Sequence, residues 1–158
     1  MTVALCPGSF DPPTSGHLDV IRRCARLFER VVVGVVINPS KQSLFSLEER
    51  VGFLKAAVAD LPQVVVRHHQ GLLVDFARRE GAQVLVKGLR AVSDFDSELQ
   101  MAQMNQTVGG IETMFMPTSP AWSFLSSSLI REVASLGGSV AGLVPDSVAE
   151  AMKERFHE

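Results

Sequence analysis

The chain has 158 residues, 46% of them hydrophobic, and a net charge of -2 at neutral pH. That length and apolar content suit one domain with a single core and exclude a disordered or fibrous chain. The slight negative balance argues against a general polyanion-binding surface, so nucleic acid is not expected as a partner, while a local cationic pocket stays open.

The first apolar run, Val3-Ala4-Leu5-Cys6, has the length and bounding turn signals of a buried strand. It begins without the basic segment, long apolar region and cleavage site of a secretion signal, and a cytoplasmic protein is expected. The segment Pro7 to His17 follows, and then Leu18, Ile21, Ala25 and Phe28 recur at helical spacing. His17 therefore falls in the first turn of a helix, where unpaired N–H groups and the helix dipole favour an anion. Gly8 and Gly16 permit close backbone approach, and Pro7, Pro12 and Pro13 stiffen the loop. Capping by Thr14 or Ser15, with His17 as a polar residue at the helix mouth, fits the same spacing equally well.

Val31 to Ile37 is a continuous β-branched run with one glycine, read as a strand covered on both faces and far too short to cross a bilayer. Asn38-Pro39-Ser40-Lys41 is a turn carrying one cation. Ser46-Leu47-Glu48-Glu49 is a capping box opening a helix that runs to about Asp60. A third strand at Val64-Val65-Val66 leads, through Gly71, to a helix with Leu72, Leu73, Phe76 and Ala77. The fourth strand, Val84-Leu85-Val86, runs straight into Lys87-Gly88-Leu89-Arg90. Ser93 or Asp94 is expected to cap the next helix, which carries Glu98, Met101, Met104 and Asn105 and stops at Gly109-Gly110. Thr113 to Met116 is the fifth strand. The loop Pro117 to Phe124 precedes Leu125-Ser126-Ser127-Ser128 at a helix start, and Pro145 opens a last amphipathic helix. Strands alternating with helices predict a single Rossmann-like α/β domain over residues 1–158, with a five-stranded parallel sheet and helices on both faces.

In such a sheet, ligands sit beyond the carboxyl ends of the strands. The residues gathered there are Ser9, His17, Lys41, Lys87, Arg90, Ser126, Ser127 and Ser128, with Arg131 one turn further on. Cations, hydroxyls and helix N-termini on one edge point to phosphates. Taken singly, Lys41 also reads as a solvated turn residue and the serines as redundant caps, while Arg131 has Glu132 or Glu98 as a prospective ion-pair partner. Met101 and Met104 read as core or pocket wall. Cys6 and Cys24 form neither a C-x-x-C motif nor a disulfide framework and read as small buried hydrophobes. His68-His69 is a polar strand end with side chains on opposite faces, and His157 a frayed terminus. A P-loop, a G-x-G-x-x-G fingerprint after the first strand and a G-x-S-x-G nucleophile elbow are all missing.

Thr14-Ser15-Gly16-His17 resembles the T-x-G-H variant of the H-x-G-H motif of the nucleotidyltransferase superfamily, and Ser126 to Arg131 resembles its second motif. More narrowly, Pro7 to Pro12, Lys87-Gly88-Leu89-Arg90, Asp94-Phe95 through Glu98, and Trp122 to Ser128 together resemble the bacterial phosphopantetheine adenylyltransferase family over nearly the whole chain. The resemblance implies reversible adenylyl transfer from Mg2+-bound ATP to 4'-phosphopantetheine, giving dephospho-coenzyme A and pyrophosphate, the penultimate step of coenzyme A synthesis. It implies that Ser9, Lys41, Leu73 and Lys87 hold phosphopantetheine, with Met104 and Asn105 along its arm. Ser9, Phe10, His17, Gly88, Leu89, Arg90, Glu98, Trp122, Ser123, Phe124, Leu125, Ser126, Ser127 and Ser128 would hold ATP, and His17, Lys41 and Arg90 would act in catalysis. It also implies a homohexamer and feedback inhibition by coenzyme A. The chain departs from the family pattern with Ser9 for threonine, Lys87 for a frequent arginine, Ser97 for an aromatic residue and Arg131 for lysine. The competing expectations are a sister nucleotidyltransferase with another phosphate acceptor and a non-catalytic nucleotide-binding domain.

Overall fold

A computed structural model describes residues 1–156, with Val92 and Ser93 described by backbone alone; His157, read above as a frayed end, lies outside the described residues. The elements alternate as β1 (Val3–Gly8), α1 (Ser15–Leu27), β2 (Arg30–Ile37), α2 (Leu47–Ala57), β3 (Val64–Gln70), α3 (Leu73–Glu80), β4 (Val84–Leu89), α4 (Val92–Gly109), β5 (Glu112–Pro117), α5 (Ser127–Ser135) and α6 (Asp146–Phe156). The five strands form one sheet in the order β3-β2-β1-β4-β5, all pairs parallel. This is the expected Rossmann-like α/β architecture. No helix among the described residues is long and apolar enough to cross a membrane.

Alternation along each strand builds a core on either side of the sheet. Ala4, Cys6, Val31, Val33 and Val35 pack against Val20, Ile21 and Cys24 of α1 and Leu54 of α2. Val3, Leu5, Val32 and Leu85 pack on the opposite face against Val74, Phe76 and Ala77 of α3. A third cluster joins Phe45, in the segment after β2, to Leu125, Ile130 of α5, and Val148 and Met152 of α6. It ties the loop following β2 to the serine-rich helix start.

Gly34 interrupts the valine run of β2 because the Phe76 ring fills its side-chain space. A Cβ there would lie 2.6 Å from Phe76 Cε2 and 2.8 Å from Leu5 Cδ1. Gly34→Ala is accordingly expected to cost about 1–3 kcal/mol of stability, the range for overpacking a close-packed core, measured by urea unfolding.

The sheet divides at its switch point. β1 runs beside β2 as far as Gly8 opposite Val35, and β4 runs beside β5 as far as Leu89 opposite Pro117. Between β1 and β4, however, only Ala4–Val84 and Leu5–Leu85 are paired. Pro7 lies just past the split and has no N–H to give to a ladder, so the two strand ends part and open a crevice.

Several element boundaries differ from expectation. β1 extends through Pro7 and Gly8 because both pair with β2. β4 runs past Val86 through Lys87, Gly88 and Leu89, which pair with Phe115, Met116 and Pro117. Neither Ser93 nor Asp94 caps α4, which starts one residue before Ser93 after an extended Ala91. α2 ends at Ala57, before Asp60. Gly110 does stop α4, in the left-handed conformation glycine adopts without cost.

Candidate active site

His17 is built into the start of α1. The Thr14 side chain accepts the His17 backbone N–H at 3.3 Å, and the Thr14 backbone N–H donates to His17 Nδ1 at 3.0 Å. This is a capping box with histidine in the place usually held by Glu or Gln. A backbone N–H can only donate, so Nδ1 is the acceptor and the proton of the neutral imidazole resides on Nε2. The nitrogen left for a ligand is therefore a donor. Burial first, and then the positive charges of Arg90 and Lys87, lower the His17 pKa to about 4, which keeps the ring neutral at physiological pH.

The lowered pKa has a measurable consequence for stability. The unfolded chain takes up the His17 proton near pH 6.5 and the folded chain only near 4. As pH falls through this window the unfolded state binds more protons, and stability falls with it. The unfolding free energy of the native chain is expected to drop more steeply between pH 6.5 and 4 than that of a His17→Gln variant, by roughly 1–3 kcal/mol at the low end. Paired denaturant titrations across that range check it.

Two cavities meet at this histidine. One, of about 240 Å³, occupies the crevice between β1 and β4 and is lined by Gly8, Lys87, Gly88, Glu98, Arg90 and Trp122, among others. The second, of about 210 Å³, lies toward the end of β2 and holds Ser9, Lys41, Arg50, Ser128 and Arg131. Phe10, His17 and Ser127 line both. Phe10 is buried with φ +52°, a left-handed conformation rare for an aromatic residue. That turn sets its ring edge-on to the imidazole, centroids 5.0 Å apart.

The crevice cations have protein partners of opposite charge. Lys87 Nζ lies 3.5 Å from Glu98 and Arg90 Nε 3.2 Å from Asp94. Arg90 also donates to the Leu125 carbonyl at 2.8 Å, which holds the end of β4 against the Trp122–Ser126 segment. Gly16 matters here by packing: its missing side chain faces Trp122, whose Cβ and carbonyl would both lie 3.6 Å from an added Cβ.

The three serines do different work. Ser126 caps α5, accepting the Leu129 N–H at 3.0 Å. Ser127 donates to the Pro12 carbonyl at 2.8 Å, and Ser128 accepts from Arg131 at 3.3 Å. Arg131 pairs with neither Glu132 nor Glu98; it donates to the backbone carbonyl of Asp11. Asp11 is buried, and its carboxylate oxygens accept the N–H groups of Leu44 and Phe45 at 2.8 and 2.9 Å. Loop, helix start and the segment after β2 are thus stitched together around the second cavity.

Not every expected residue borders these cavities. Leu73 opens α3 and packs against the core on the far face of the sheet. Asn105 is buried within α4, while Met104 and Phe124 are exposed. Leu89 ends β4, and Ser123 donates to the Pro120 carbonyl at 3.3 Å. Cys6 lines the crevice with its Sγ 3.7 Å from that of Cys24. Its contact with Cys24 and its burial hold the Cys6 pKa well above the ordinary thiol value, so it is no thiolate nucleophile.

The arrangement suits two anionic ligands brought together across one neutral donor. Sequence comparison gives it a family. A family profile described as cytidylyltransferase-like matches residues 5–133. A phosphopantetheine adenylyltransferase of Frankia casuarinae is 56% identical over 99% of both chains. Those of Streptomyces coelicolor and Frankia alni are each 55% identical, over 99% and 100% of this chain and 98% and 100% of theirs. With its parallel sheet split at the switch point and its histidine in the capping box of the first helix, the chain belongs to the cytidylyltransferase-like family and, within it, to the phosphopantetheine adenylyltransferases.

Proposed function

We propose that the chain, acting as one nucleotidyltransferase domain, transfers the adenylyl group of ATP to 4'-phosphopantetheine, releasing pyrophosphate and forming dephospho-coenzyme A. The observation that carries this reading is the meeting of two cation-lined cavities at His17. The crevice at the β1–β4 split takes the nucleoside, against Gly88, Trp122 and Leu125. The second cavity, with Ser9, Lys41, Ser127 and Ser128, is where the two ligands' phosphates meet. Lys87 serves phosphopantetheine from the crevice wall, and the pantetheine arm leaves the crevice toward Met104, exposed on α4; Leu73, on the far face of the sheet, and Asn105, buried in α4, are given no part in holding it.

An acceptor phosphate is already anionic at neutral pH, so neither a general base nor a covalent nucleophile is required. The chain's contribution is in-line positioning and charge stabilisation. His17 donates from Nε2 to the α-phosphate as its bond to pyrophosphate lengthens. Lys41 offsets the repulsion between the acceptor and the α-phosphate. Arg90 and the start of α5 hold the β- and γ-phosphates, which then leave as pyrophosphate. The described residues offer no cluster of three or more His, Cys, Asp or Glu side chains for a metal ion. Magnesium in this reading travels on the ATP phosphates, and no protein ligand is assigned to it.

Coenzyme A contains both the pantetheine and the adenylyl moieties, which supports competition at the same cavities and hence feedback inhibition. Met101, Met104 and Val108 are exposed along one face of α4, and Met114 is exposed on β5. That apolar stripe supports self-association into the homohexamer expected of this family. The compartment is the cytoplasm.

The test is pyrophosphate release from Mg-ATP with 4'-phosphopantetheine, run beside nicotinate mononucleotide and glycerol phosphate. Release with phosphopantetheine alone is the expected result. Release only with another acceptor moves the substrate assignment, and none with any acceptor despite ATP binding turns the domain into a sensor.

A further inference from the structure

The second cavity contains a charged group that neither the motif nor the proposed mechanism uses. Arg50, in the second turn of α2, is only 5% exposed. Its Nη1 donates to the Ser9 carbonyl at 2.9 Å and its Nε to the Ser46 carbonyl at 3.3 Å. Both acceptors are neutral, and among the described residues the guanidinium has no carboxylate within ion-pair distance. Asp11, the carboxylate in this cavity, has its oxygens occupied by the Leu44 and Phe45 amides. A buried cation with no carboxylate in direct contact is unfavourable in general, and here it faces a space lined by two further cations, Lys41 and Arg131. Its remaining nitrogen, Nη2, has no protein acceptor among the described residues.

The Ser9 carbonyl is a consequential place to hold. The next residue is Phe10, whose φ of +52° needs an external restraint, and whose ring abuts His17. A chain of contacts thus runs from Arg50 through Ser9 and Phe10 to the imidazole.

We infer that Arg50 is a positioning residue for the acceptor side of the site: it fixes the Ser9–Phe10 corner and leaves its buried charge for the phosphate that the acceptor brings. The inference rests on the adenylyl-transfer reading for its kinetics but not for its phosphate chemistry, and the experiment separates the two.

Arg50→Met keeps most of the side-chain volume and removes the charge; Arg50→Lys keeps the charge and loses the double anchor. The first readout is thermal stability of native and variant proteins with and without inorganic phosphate. Native protein is expected to gain melting temperature with phosphate, and the Met variant to gain little, each measured against its own melting temperature without phosphate. The second readout is steady-state kinetics. The Met variant is expected to raise KM for phosphopantetheine ~10- to 100-fold, the scale of one hydrogen bond to a charged group, with KM for ATP within about twofold. The Lys variant should fall between the two, and should fold even if the Met variant does not.

Equal phosphate stabilisation of native and variants overturns the inference, as does a parallel rise in both KM values, the mark of a merely structural residue. If the native protein releases no pyrophosphate with phosphopantetheine, the functional reading fails, and the phosphate titration alone still decides the role of Arg50.

Discussion

Replacing His17 with alanine is expected to lower turnover by ~10² or more while ATP affinity changes little. The scale is that of one preorganised donor aimed at developing charge in a site that needs no proton transfer. The structure provides the preorganisation: Nδ1 is occupied by the Thr14 N–H, the ring is kept neutral by burial and neighbouring cations, and Nε2–H is what remains. Alanine also removes half of the capping box, so a stability loss of about 1 kcal/mol accompanies the kinetic one. Glutamine separates the two effects. At the third helical position it is an ordinary capping-box partner, so His17→Gln should restore stability toward native and still lose turnover. Initial-rate measurement of pyrophosphate release, with ATP binding measured independently, checks both. Near-normal turnover in the alanine variant would remove His17 from the mechanism.

The same histidine shows where sequence reading stops. The Ser46–Glu49 box is legible because it has the S-x-x-E pattern, and both of its hydrogen bonds form. The Thr14–His17 box is the same device with an imidazole in the reciprocal position, which no residue-type template anticipates. By spacing alone, Thr14 as a cap and His17 as a phosphate donor are alternatives. In the structure the cap is what fixes the tautomer of the donor, so the two roles require each other.

Strands follow a similar rule. The β-branched run of β2 announces itself, since a strand covered on both faces needs apolar residues throughout. The outer half of β4 does not: Lys87-Gly88-Leu89 has turn-like composition, and only its pairing with Phe115, Met116 and Pro117 keeps it extended. Arg50 carries no such signal, and Arg131, though placed near the site by its position in α5, gives no sign of its partner. Each acts through a backbone carbonyl, of Ser9 and of Asp11, which lie 41 and 120 residues away in the chain. Any residue offers a carbonyl, so such contacts leave no mark in composition or spacing. What the pattern did reveal was the set of groups at the strand ends; what it could not reveal was which of them are held by one another.

Lys41→Met is expected to lower kcat/KM for the acceptor by ~10²–10³ and to leave ATP binding within a few-fold. Lys41 lies exposed in the turn after β2, where its backbone N–H donates to Asn38 at 3.1 Å. It shares the second cavity with Ser9 and Ser128. Two phosphates brought to bonding distance repel, and one unit charge against another at ~4 Å is worth about 4 kcal/mol at an effective dielectric constant of 20. A single cation between them offsets much of that, which sets the size of the expected loss. Unlike Lys87 and Arg90, which lie beside Glu98 and Asp94, Lys41 has no carboxylate partner among the described residues from which a ligand would have to displace it. Exposure brings a second signature. Added salt screens an exposed charge over roughly 8–10 Å, so native kcat/KM should fall with ionic strength and the variant should be flatter. A Met variant as fast as native, with the same salt dependence, assigns Lys41 to the solvated surface and leaves Arg50 and Arg131 as the cations of that cavity.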